Sequence, residues 1–323
     1  MLTVTVVGQG YVGLPLAIQA AEAGCRVFGF DEDKAKVQSL LEGKTKLNDV
    51  NTQKILNLMR HKMYTPTHDP ELMNTSDVIV IAVPTPLNSN QEPDLSFLIS
   101  ASKNIATYCK SGSLIINEST SYPGTLRQVI APIFKKNLGK EVYLAVAPER
   151  IDPANKNWNI ENTPRIVSGL DEKATQLALN FYSLFCKSIL KVTSPEVAEA
   201  AKLFENTFRL VNIALANEFS ILSKALGFST NEAIQAASTK PFGFMPFYPS
   251  IGVGGHCIPI DPIYLSYAAD RLGVKSNFIE LANKTNSNML SNVLTEIADN
   301  YGGNLIKREY RLQGYLINLR YQT

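Results

Sequence analysis

The sequence predicts an α/β fold: a Rossmann-type, doubly wound and mostly parallel sheet, followed by a central all-helical region with one long helix. Short β-branched runs alternate with helix-like segments up to about residue 193, which is typical of parallel sheets covered by helices. A glycine-rich turn joins the first run to the first helix, as in dinucleotide-binding proteins. After Ser194 the pattern becomes a single helix of roughly 30 residues, against an average of about 11–12.

The first predicted strand, residues 2–7, leads into the most specific motif of the N-terminal half. Gly8, Gly10 and Gly13 match the dinucleotide fingerprint, in which they make the tight turn, admit the pyrophosphate and allow close helix–strand packing. The helix predicted over residues 14–23 would offer its N-terminal N–H groups to the phosphates. A second strand, residues 26–30, ends at Asp31, whose carboxylate would accept ribose hydroxyls and repel a 2′-phosphate. The motif therefore predicts NAD rather than NADP; the alternative is a purely structural glycine turn.

Five further strands are predicted, at residues 77–83, 113–117, 142–146, 165–167 and 189–192. Thr85, Thr120 and Glu149 each follow the end of one of these strands. Because ligands of such sheets bind beyond the carboxyl ends of the strands, we expect all three residues to face one crevice. The alternative is that a threonine after a strand only caps the next helix.

The long helix is bounded by helix signals at both ends. Ser194 and Pro195 suit its N-terminus, and Gly227 stands where it would end. Two faces follow from helical spacing: a polar one with Lys202, Asn206 and Arg209, and an apolar one with Leu203, Leu210 and Ala214. The polar face would line a pocket if it points inward; the alternative is a solvated face on which Glu199 and Glu205 pair with the cations.

A second functional candidate is a glycine-rich segment that precedes Cys257. Gly252, Gly254 and Gly255 stand before the cysteine, and Asp261 follows it by four residues. Glycines let a backbone approach a ligand closely, so the thiol would be presented at a pocket wall. The alternative is a buried structural cysteine, because free cysteines are among the most buried residues.

Composition indicates a protein of about two domains that works in the cytoplasm. The chain has 323 residues, 45% of them hydrophobic, and no apolar run near the ~20 residues that a membrane span needs. A strand at the N-terminus leaves no room for a signal peptide. The net charge of +2 favours neither a nucleic acid nor a membrane as partner. Four widely spaced cysteines and three histidines predict reduced thiols and no metal site.

Six motifs occur in order and together resemble the UDP-glucose/GDP-mannose dehydrogenase family. They are Gly-Tyr-Val-Gly-Leu-Pro-Leu-Ala (10–17), Val-Pro-Thr-Pro (83–86), Glu-Ser-Thr to Pro-Gly-Thr (118–125), Ala-Pro-Glu-Arg (147–150), Ala-Lys-Leu-Phe-Glu-Asn-Thr-Phe-Arg (201–209) and Gly-Val-Gly-Gly-His-Cys-Ile-Pro-Ile-Asp-Pro (252–262). The resemblance extends from residue 1 to about residue 290. Within the family, the stretches 148–156 and 239–249 are most similar to UDP-N-acetylglucosamine 6-dehydrogenases.

The resemblance implies a four-electron oxidation of a sugar C6 alcohol to a carboxylate with two NAD⁺. Lys202, with a bound water, would take the hydroxyl proton or stabilise the developing oxyanion. Cys257, its thiolate favoured by a cationic neighbour such as Lys202, would capture the aldehyde and pass through a thioester. Glu149, Thr120 and Asp261 would orient the hydrolytic water, and Lys202 and Asn206 would hold the oxyanion. NAD contacts are implied for Gly8, Gly10, Tyr11, Val12, Gly13, Asp31, Lys36, Thr85 and Thr120, and contacts with the UDP-sugar for Arg150, Ile151, Lys202, Asn206, Arg209, Tyr248 and Gly254.

The domain organisation that we predict has three parts. Residues 1–193 form the NAD-binding domain, residues 194–290 a helical domain that dimerises through the long helix, and residues 291–323 the end of a helix and an atypical tail. Family members continue into a second Rossmann-like domain that binds the UDP diphosphate, and residues 304–323 lack its motif. We therefore expect weakened substrate binding. Three alternatives stay open: a non-catalytic NAD-binding remnant, a thiol-independent two-electron hydroxyacid dehydrogenase, and a dehydrogenase of UDP-glucose or UDP-ManNAc.

Overall fold

The computed structural model of the protein describes residues 1–47, 50–136, 139–151, 155, 157–255 and 257–300. The chain divides between Lys202 and Leu203 into two compact units. The tail from residue 301, including residues 304–323, lies outside the described residues.

The first unit is built on one eight-stranded sheet over its described residues. Its strands are β1 (Thr3–Val7), β2 (Arg26–Phe30), β3 (Tyr64–Thr67), β4 (Val78–Ile81), β5 (Leu114–Asn117), β6 (Tyr143–Val146), β7 (Arg165–Gly169) and β8 (Ile189–Lys191). The spatial order is β3-β2-β1-β4-β5-β6-β7-β8, and every neighbouring pair is parallel except β6 with β7. The predicted doubly wound, mostly parallel sheet is confirmed.

Two details of the sheet differ from the expectation. Strand β3 was not predicted, because Pro66 interrupts its pattern; it lies at the edge of the sheet, where a missing N–H is tolerated. Strand β7 runs antiparallel to β6. In the chain, the described residues between these two strands form no helix, and without a crossover helix a neighbouring strand returns in the opposite direction.

Helices α1 to α6 cover the sheet of the first unit. Their bounds are α1 (Gly13–Glu22), α2 (Lys34–Leu41), α3 (Thr52–Arg60), α4 (Ser96–Tyr108), α5 (Ala131–Lys136) and α6 (Glu172–Tyr182). A π-helical turn, Leu126–Ile130, leads into α5. The β-branched centres of the strands, among them Val4, Val80 and Ile116, are fully buried and form the core with the inner faces of the helices. Burial of both faces of the sheet explains the continuous apolar runs of the sequence.

The remaining helices are α7 (Pro195–Leu226), α8 (Thr230–Ser238), α9 (Cys257–Asp270) and α10 (Asn277–Asn300). The predicted long helix is thus present as α7, and Gly227 ends it in the left-handed region at φ +82°. In the second unit, Leu210 and Ala214 pack with Ile279 and Ala282 of α10. None of the described helices combines the length and apolar character that a membrane crossing requires.

Candidate active site

The turn between β1 and α1 has the geometry that a dinucleotide requires. A Cβ on Gly8 would lie 2.4 Å from the carbonyl oxygen of Ala82, and a Cβ on Gly13 would lie 1.8 Å from that of Gly8. Both glycines are therefore needed by the protein itself. Gly10 differs, because a Cβ there would meet nothing within 4 Å. The open space next to Gly10 is where a pyrophosphate would approach the backbone, so the residues fit NAD.

Asp31 is held in place at the end of β2. Its Oδ2 accepts hydrogen bonds from the backbone N–H of Gln9 at 2.8 Å and from Nζ of Lys36 at 2.9 Å, and its Oδ1 accepts one from the N–H of Asp33 at 3.0 Å. Gln9 is itself fixed, since its Oε1 accepts a hydrogen bond from the hydroxyl of Tyr64 at 2.8 Å. The structure thus brings together Asp31 and Lys36, two predicted NAD contacts, beside the glycine turn.

The hydroxyl of Ser119 links the segment that follows β5 to the segment that follows β4 by hydrogen bonds. The Oγ of Ser119 accepts a hydrogen bond from the N–H of Val83 at 2.9 Å and donates one to the oxygen of Val83 at 2.8 Å. The bonds hold the segments of Thr85, which is buried, and Thr120, which is half-buried, at one edge of the sheet. In the glycine turn, Tyr11 is 63% exposed and Val12 is half-buried.

Glu149 follows β6 and is tightly held. Its Oε1 accepts hydrogen bonds from the N–H groups of Arg150 and Ile151, both at 2.7 Å, and its Oε2 pairs with Nη2 of Arg165 at 3.1 Å. Burial opposes the ionisation of Glu149. The charge of Arg165, the two N–H groups and the charge of Lys202 together outweigh burial, so the pKa of Glu149 lies below its ordinary value. Glu149 is therefore a carboxylate at neutral pH and can accept a proton.

Arg165 also pairs with a second carboxyl group, that of Glu118, which is buried. Its Nη1 lies 3.0 Å from Oε1 of Glu118, and the Tyr182 hydroxyl donates a hydrogen bond to the same oxygen. The other oxygen, Oε2, is buried and accepts no hydrogen bond from the described residues. Burial, countered only in part by Arg165, raises the pKa of Glu118 to about 7. Two neighbouring carboxyl groups therefore have pKa values shifted in opposite directions.

Two predicted substrate contacts lie beside Glu149. Arg150 is half-buried and donates a hydrogen bond from Nη1 to the carbonyl oxygen of Pro164 at 2.7 Å, and Ile151 is half-buried. Lys202, also half-buried, belongs to the same unit. The Lys202 charge favours the ionised form of Glu149, so the two groups interact electrostatically.

In the second unit, the structure brings Asn206 and Asp261 together. The Nδ2 of Asn206 donates a hydrogen bond to Oδ2 of Asp261 at 2.6 Å, and both side chains are buried. Cys257 is the first residue of α9, so Asp261 lies one turn further along the same helix face. Cys257 is exposed, whereas Cys25, Cys109 and Cys186 are buried. That placement is not the one expected of a structural core cysteine.

The segment before Cys257 is anchored by a buried amide pair. Asn217 accepts a hydrogen bond from the N–H of Ser250 at 2.7 Å and donates one to Asn286 at 2.8 Å. Three predicted substrate contacts of this unit, Arg209, Tyr248 and Gly254, are exposed.

Comparison with known proteins identifies the family. The model of the UDP-glucose/GDP-mannose dehydrogenase family NAD binding domain matches residues 2–186, and that of the central domain matches residues 196–288. The chain belongs to the UDP-glucose/GDP-mannose dehydrogenase family. It is an NAD-dependent UDP-sugar dehydrogenase.

Two relatives and one solved structure illustrate the similarity. The UDP-N-acetyl-D-glucosamine 6-dehydrogenase of Pseudomonas aeruginosa is 33% identical over 97% of this chain and 73% of its own. The UDP-N-acetyl-D-mannosamine dehydrogenase of Methanococcus aeolicus is 35% identical over 96% of this chain and 68% of its own. The structure of the UDP-D-ManNAc dehydrogenase of Pyrococcus horikoshii superposes with a TM-score of 0.85, at 34% identity, over 93% of this chain and 72% of that chain.

Sequence reasoning missed three buried charged residues of this UDP-sugar dehydrogenase: Glu118, Arg165 and Glu199. Glu118 stood in a motif that was quoted only for its resemblance, and Glu199 was considered only as a surface partner of cations. It is in fact 1% exposed. For Arg165 a signal existed, since a charge at the start of a buried strand needs a buried partner.

Proposed function

We propose that the protein oxidises C6 of a UDP-N-acetylhexosamine, with UDP-N-acetylglucosamine favoured, to the uronic acid. Overall, four electrons are removed, and the product would serve as a precursor of surface polysaccharides. The observation that carries the proposal is the exposed thiol of Cys257 at the first residue of α9, one turn before the Asp261–Asn206 pair. A two-electron alcohol dehydrogenase has no use for such a thiol, whereas oxidation beyond the aldehyde does.

The NAD site is the glycine turn with its surroundings. The backbone at Gly10 and the α1 N-terminus would hold the pyrophosphate, and Asp31 with Lys36 would hold the adenosine ribose. We assign Tyr11, Val12, Thr85 and Thr120 to the same cofactor. When bound, NAD supplies the hydride acceptor for each of the two oxidations.

We assign the proton and acyl chemistry to the chain's own residues. Lys202 takes the proton of the C6 hydroxyl as the alcohol becomes an aldehyde. The sulfur of Cys257 then bonds to the aldehyde carbon, and the adduct, once oxidised, is a thioester that keeps the intermediate on the enzyme. Glu149, ionised in the fold, accepts a proton from the water that attacks the thioester, and the thiolate leaves. Lys202 and Asn206 stabilise the oxyanion, and Thr120 and Asp261 orient the water.

The names of the relatives support an N-acetylhexosamine substrate. One is a UDP-N-acetylglucosamine 6-dehydrogenase and another a UDP-N-acetylmannosamine dehydrogenase, at 33% and 35% identity. We assign Arg150, Ile151, Arg209, Tyr248 and Gly254 to the UDP-sugar. UDP-ManNAc is the second candidate, because the Pyrococcus horikoshii structure with TM-score 0.85 bears that name. We further propose that the enzyme works in the cytoplasm, where its cysteines stay reduced.

The test is a panel of UDP-GlcNAc, UDP-ManNAc and UDP-glucose with NAD, in which NADH and uronic acid are both quantified. We expect two NADH per molecule of acid formed, and the highest kcat/KM with UDP-GlcNAc. Replacement Cys257→Ala should abolish acid formation, whereas Cys109→Ala, at a buried cysteine, should keep it. One NADH per sugar, or a Cys257→Ala variant with normal turnover, would support a two-electron dehydrogenase instead. NAD binding without turnover on any of the three sugars would support the non-catalytic remnant.

A further inference from the structure

Glu199, in the second turn of α7, is a buried carboxylate that binds a backbone turn. Its Oε2 accepts a hydrogen bond from the N–H of Gly124 at 2.7 Å, and its Oε1 accepts one from the N–H of Leu126 at 2.9 Å. The hydroxyl of Ser121 lies 3.2 Å from Oε1 as a third donor. Residues 121–126 follow Thr120 directly, so this one side chain fastens the segment after β5 to α7.

The carboxylate is not part of an ion pair with the described residues. Two charges interact with it, those of Glu196, one turn earlier on α7, and of Arg127, in the π-helical turn. Those two pair with each other at the surface, with Nε of Arg127 2.7 Å from Oε1 of Glu196. Burial is the main influence on Glu199, and it raises the pKa of the carboxyl to about 7 in spite of the three hydrogen bonds.

We propose that Glu199 is a positioning residue that holds the turn after Thr120 against the α7 segment that carries Lys202, and that its charge state sets the affinity for NAD. The proposal rests on the proposed function, in which Thr120 contacts the cofactor. Among the described residues, the side chain of Glu199 forms its hydrogen bonds with the turn. It stands three residues before Lys202, so the hold fixes the start of the helix turn from which Lys202 projects.

The charge state matters because of how the donors are arranged. Ionised, Glu199 offers lone pairs on both oxygens to the N–H groups of Gly124 and Leu126. A proton on either oxygen removes charge from both bonds and places an O–H beside an N–H donor. Because the pKa of Glu199 is raised by burial, the proton does not release the turn. It replaces two charge-assisted bonds by weaker ones, so the turn can shift against α7. The position of Thr120, and with it the affinity for NAD, should follow this change.

The experiment is titration calorimetry of NAD with the wild-type chain, Glu199→Gln and the matched control Glu196→Gln, between about pH 6 and pH 8. We expect the wild-type Kd to rise as the pH falls, and Glu199→Gln to show a Kd at pH 8 that is roughly fivefold higher or more and nearly independent of pH. The surface control should follow the wild type. Glu118, two residues before Thr120, also has a pKa of about 7 and titrates in the same pH range. The contribution of Glu199 is therefore read from the difference between the Kd curves of the wild type and Glu199→Gln. A Glu199→Gln curve equal to the wild type, or an equal loss in Glu196→Gln, would overturn the proposal.

Two further measurements separate the possible failures. Thr120→Val should weaken NAD binding. If it does not, the assignment of Thr120 under the proposed function is wrong. If NAD binding is weakened in Thr120→Val but normal in Glu199→Gln, only the role of Glu199 is overturned. If Glu199→Gln does not fold, an NMR titration of the wild-type chain replaces it. The amide proton signals of Gly124 and Leu126 should move upfield, as expected of weaker hydrogen bonds, when the pH falls through about 7, while those of β5 should not. Amide signals of Gly124 and Leu126 that do not move would refute the proposal.

Discussion

At the scale of single residues, the most consequential feature is one buried guanidinium that pairs with two carboxyl groups, the buried Glu118 and the half-buried Glu149. Arg165 is 4% exposed and lies within 3.1 Å of both Glu118 and Glu149. Its Cζ lies over the ring of Tyr182, 4.9 Å from the centroid. The arrangement keeps Glu149 ionised and leaves Glu118 with a pKa of about 7. Paired carboxyl groups with diverging pKa values are typical of acid–base sites.

Replacement Arg165→Met should destabilise the fold strongly, since it leaves the buried Glu118 and the half-buried Glu149 without their cation. We expect a loss of about 3–5 kcal/mol in the free energy of unfolding, measured by urea denaturation at pH 7. The matched control is Lys191→Met, which removes the surface ion pair with Glu172 and should cost less than about 1 kcal/mol. Equal effects of the two replacements would show that Arg165 is not the cation on which the site depends.

The raised pKa of Glu118 predicts how stability depends on pH. Its pKa is 4.5 ordinarily and about 7 in the fold, so the folded state binds this proton more tightly than the unfolded state. The stabilisation is complete below about pH 4.5 and is lost as the pH rises through 7, at no more than about 1.4 kcal/mol per unit. Glu118→Gln should remove this decline. Because Glu199 is shifted in the same direction, the informative quantity is the difference between wild type and variant in urea unfolding at pH 5, 6 and 7. A constant difference would contradict the assignment.

At the scale of elements, the β1–α1 unit separates glycines that the fold needs from the one that the ligand needs. Gly13→Ala would place a methyl group 1.8 Å from the carbonyl oxygen of Gly8, so strand and helix must separate, and we expect a lowered Tm. Gly10→Ala meets no atom within 4 Å, so we expect a nearly unchanged Tm with strongly weakened NAD binding. Thermal unfolding and calorimetry of the two variants test this. Normal NAD binding by Gly10→Ala would place the pyrophosphate elsewhere.

Patterns within a few residues were predictable at this scale, and partners distant in sequence were not. The fingerprint glycines, the order of motifs and the long helix with its Gly227 stop all depend on local chemistry that a sequence displays. By contrast, the Glu118–Arg165 pair joins positions 47 residues apart, and the Glu199–Gly124 contact joins positions 75 apart. Such partners are determined by sheet order and helix packing. Glu199 illustrates the consequence: read locally it is a surface residue of a polar helix face, and in the fold it is buried.

At the scale of the whole molecule, the second unit leaves a row of large apolar side chains exposed on α7. Phe208, Leu215 and Leu222 recur every seven residues and are 42%, 63% and 51% exposed, and Phe204 and Leu226 extend the row. A repeat of seven is the spacing with which two helices pack along a seam. Contiguous exposed apolar surface of this kind typically marks an interface.

The row predicts that two copies of the chain associate through α7 to form a homodimer. Leu215→Lys combined with Leu222→Lys places two charges on the seam, where a symmetric pair would bring four together, so we expect light scattering to give the mass of one chain instead of two. The control is Leu272→Lys, which alters a leucine that is 83% exposed but lies outside α7. It should leave the dimer intact. A wild-type chain that is monomeric at concentrations well above those of the assay, or a double variant that stays dimeric, would show that the α7 row is not the contact. Loss of the dimer in the Leu272→Lys control would place the contact near the turn between α9 and α10.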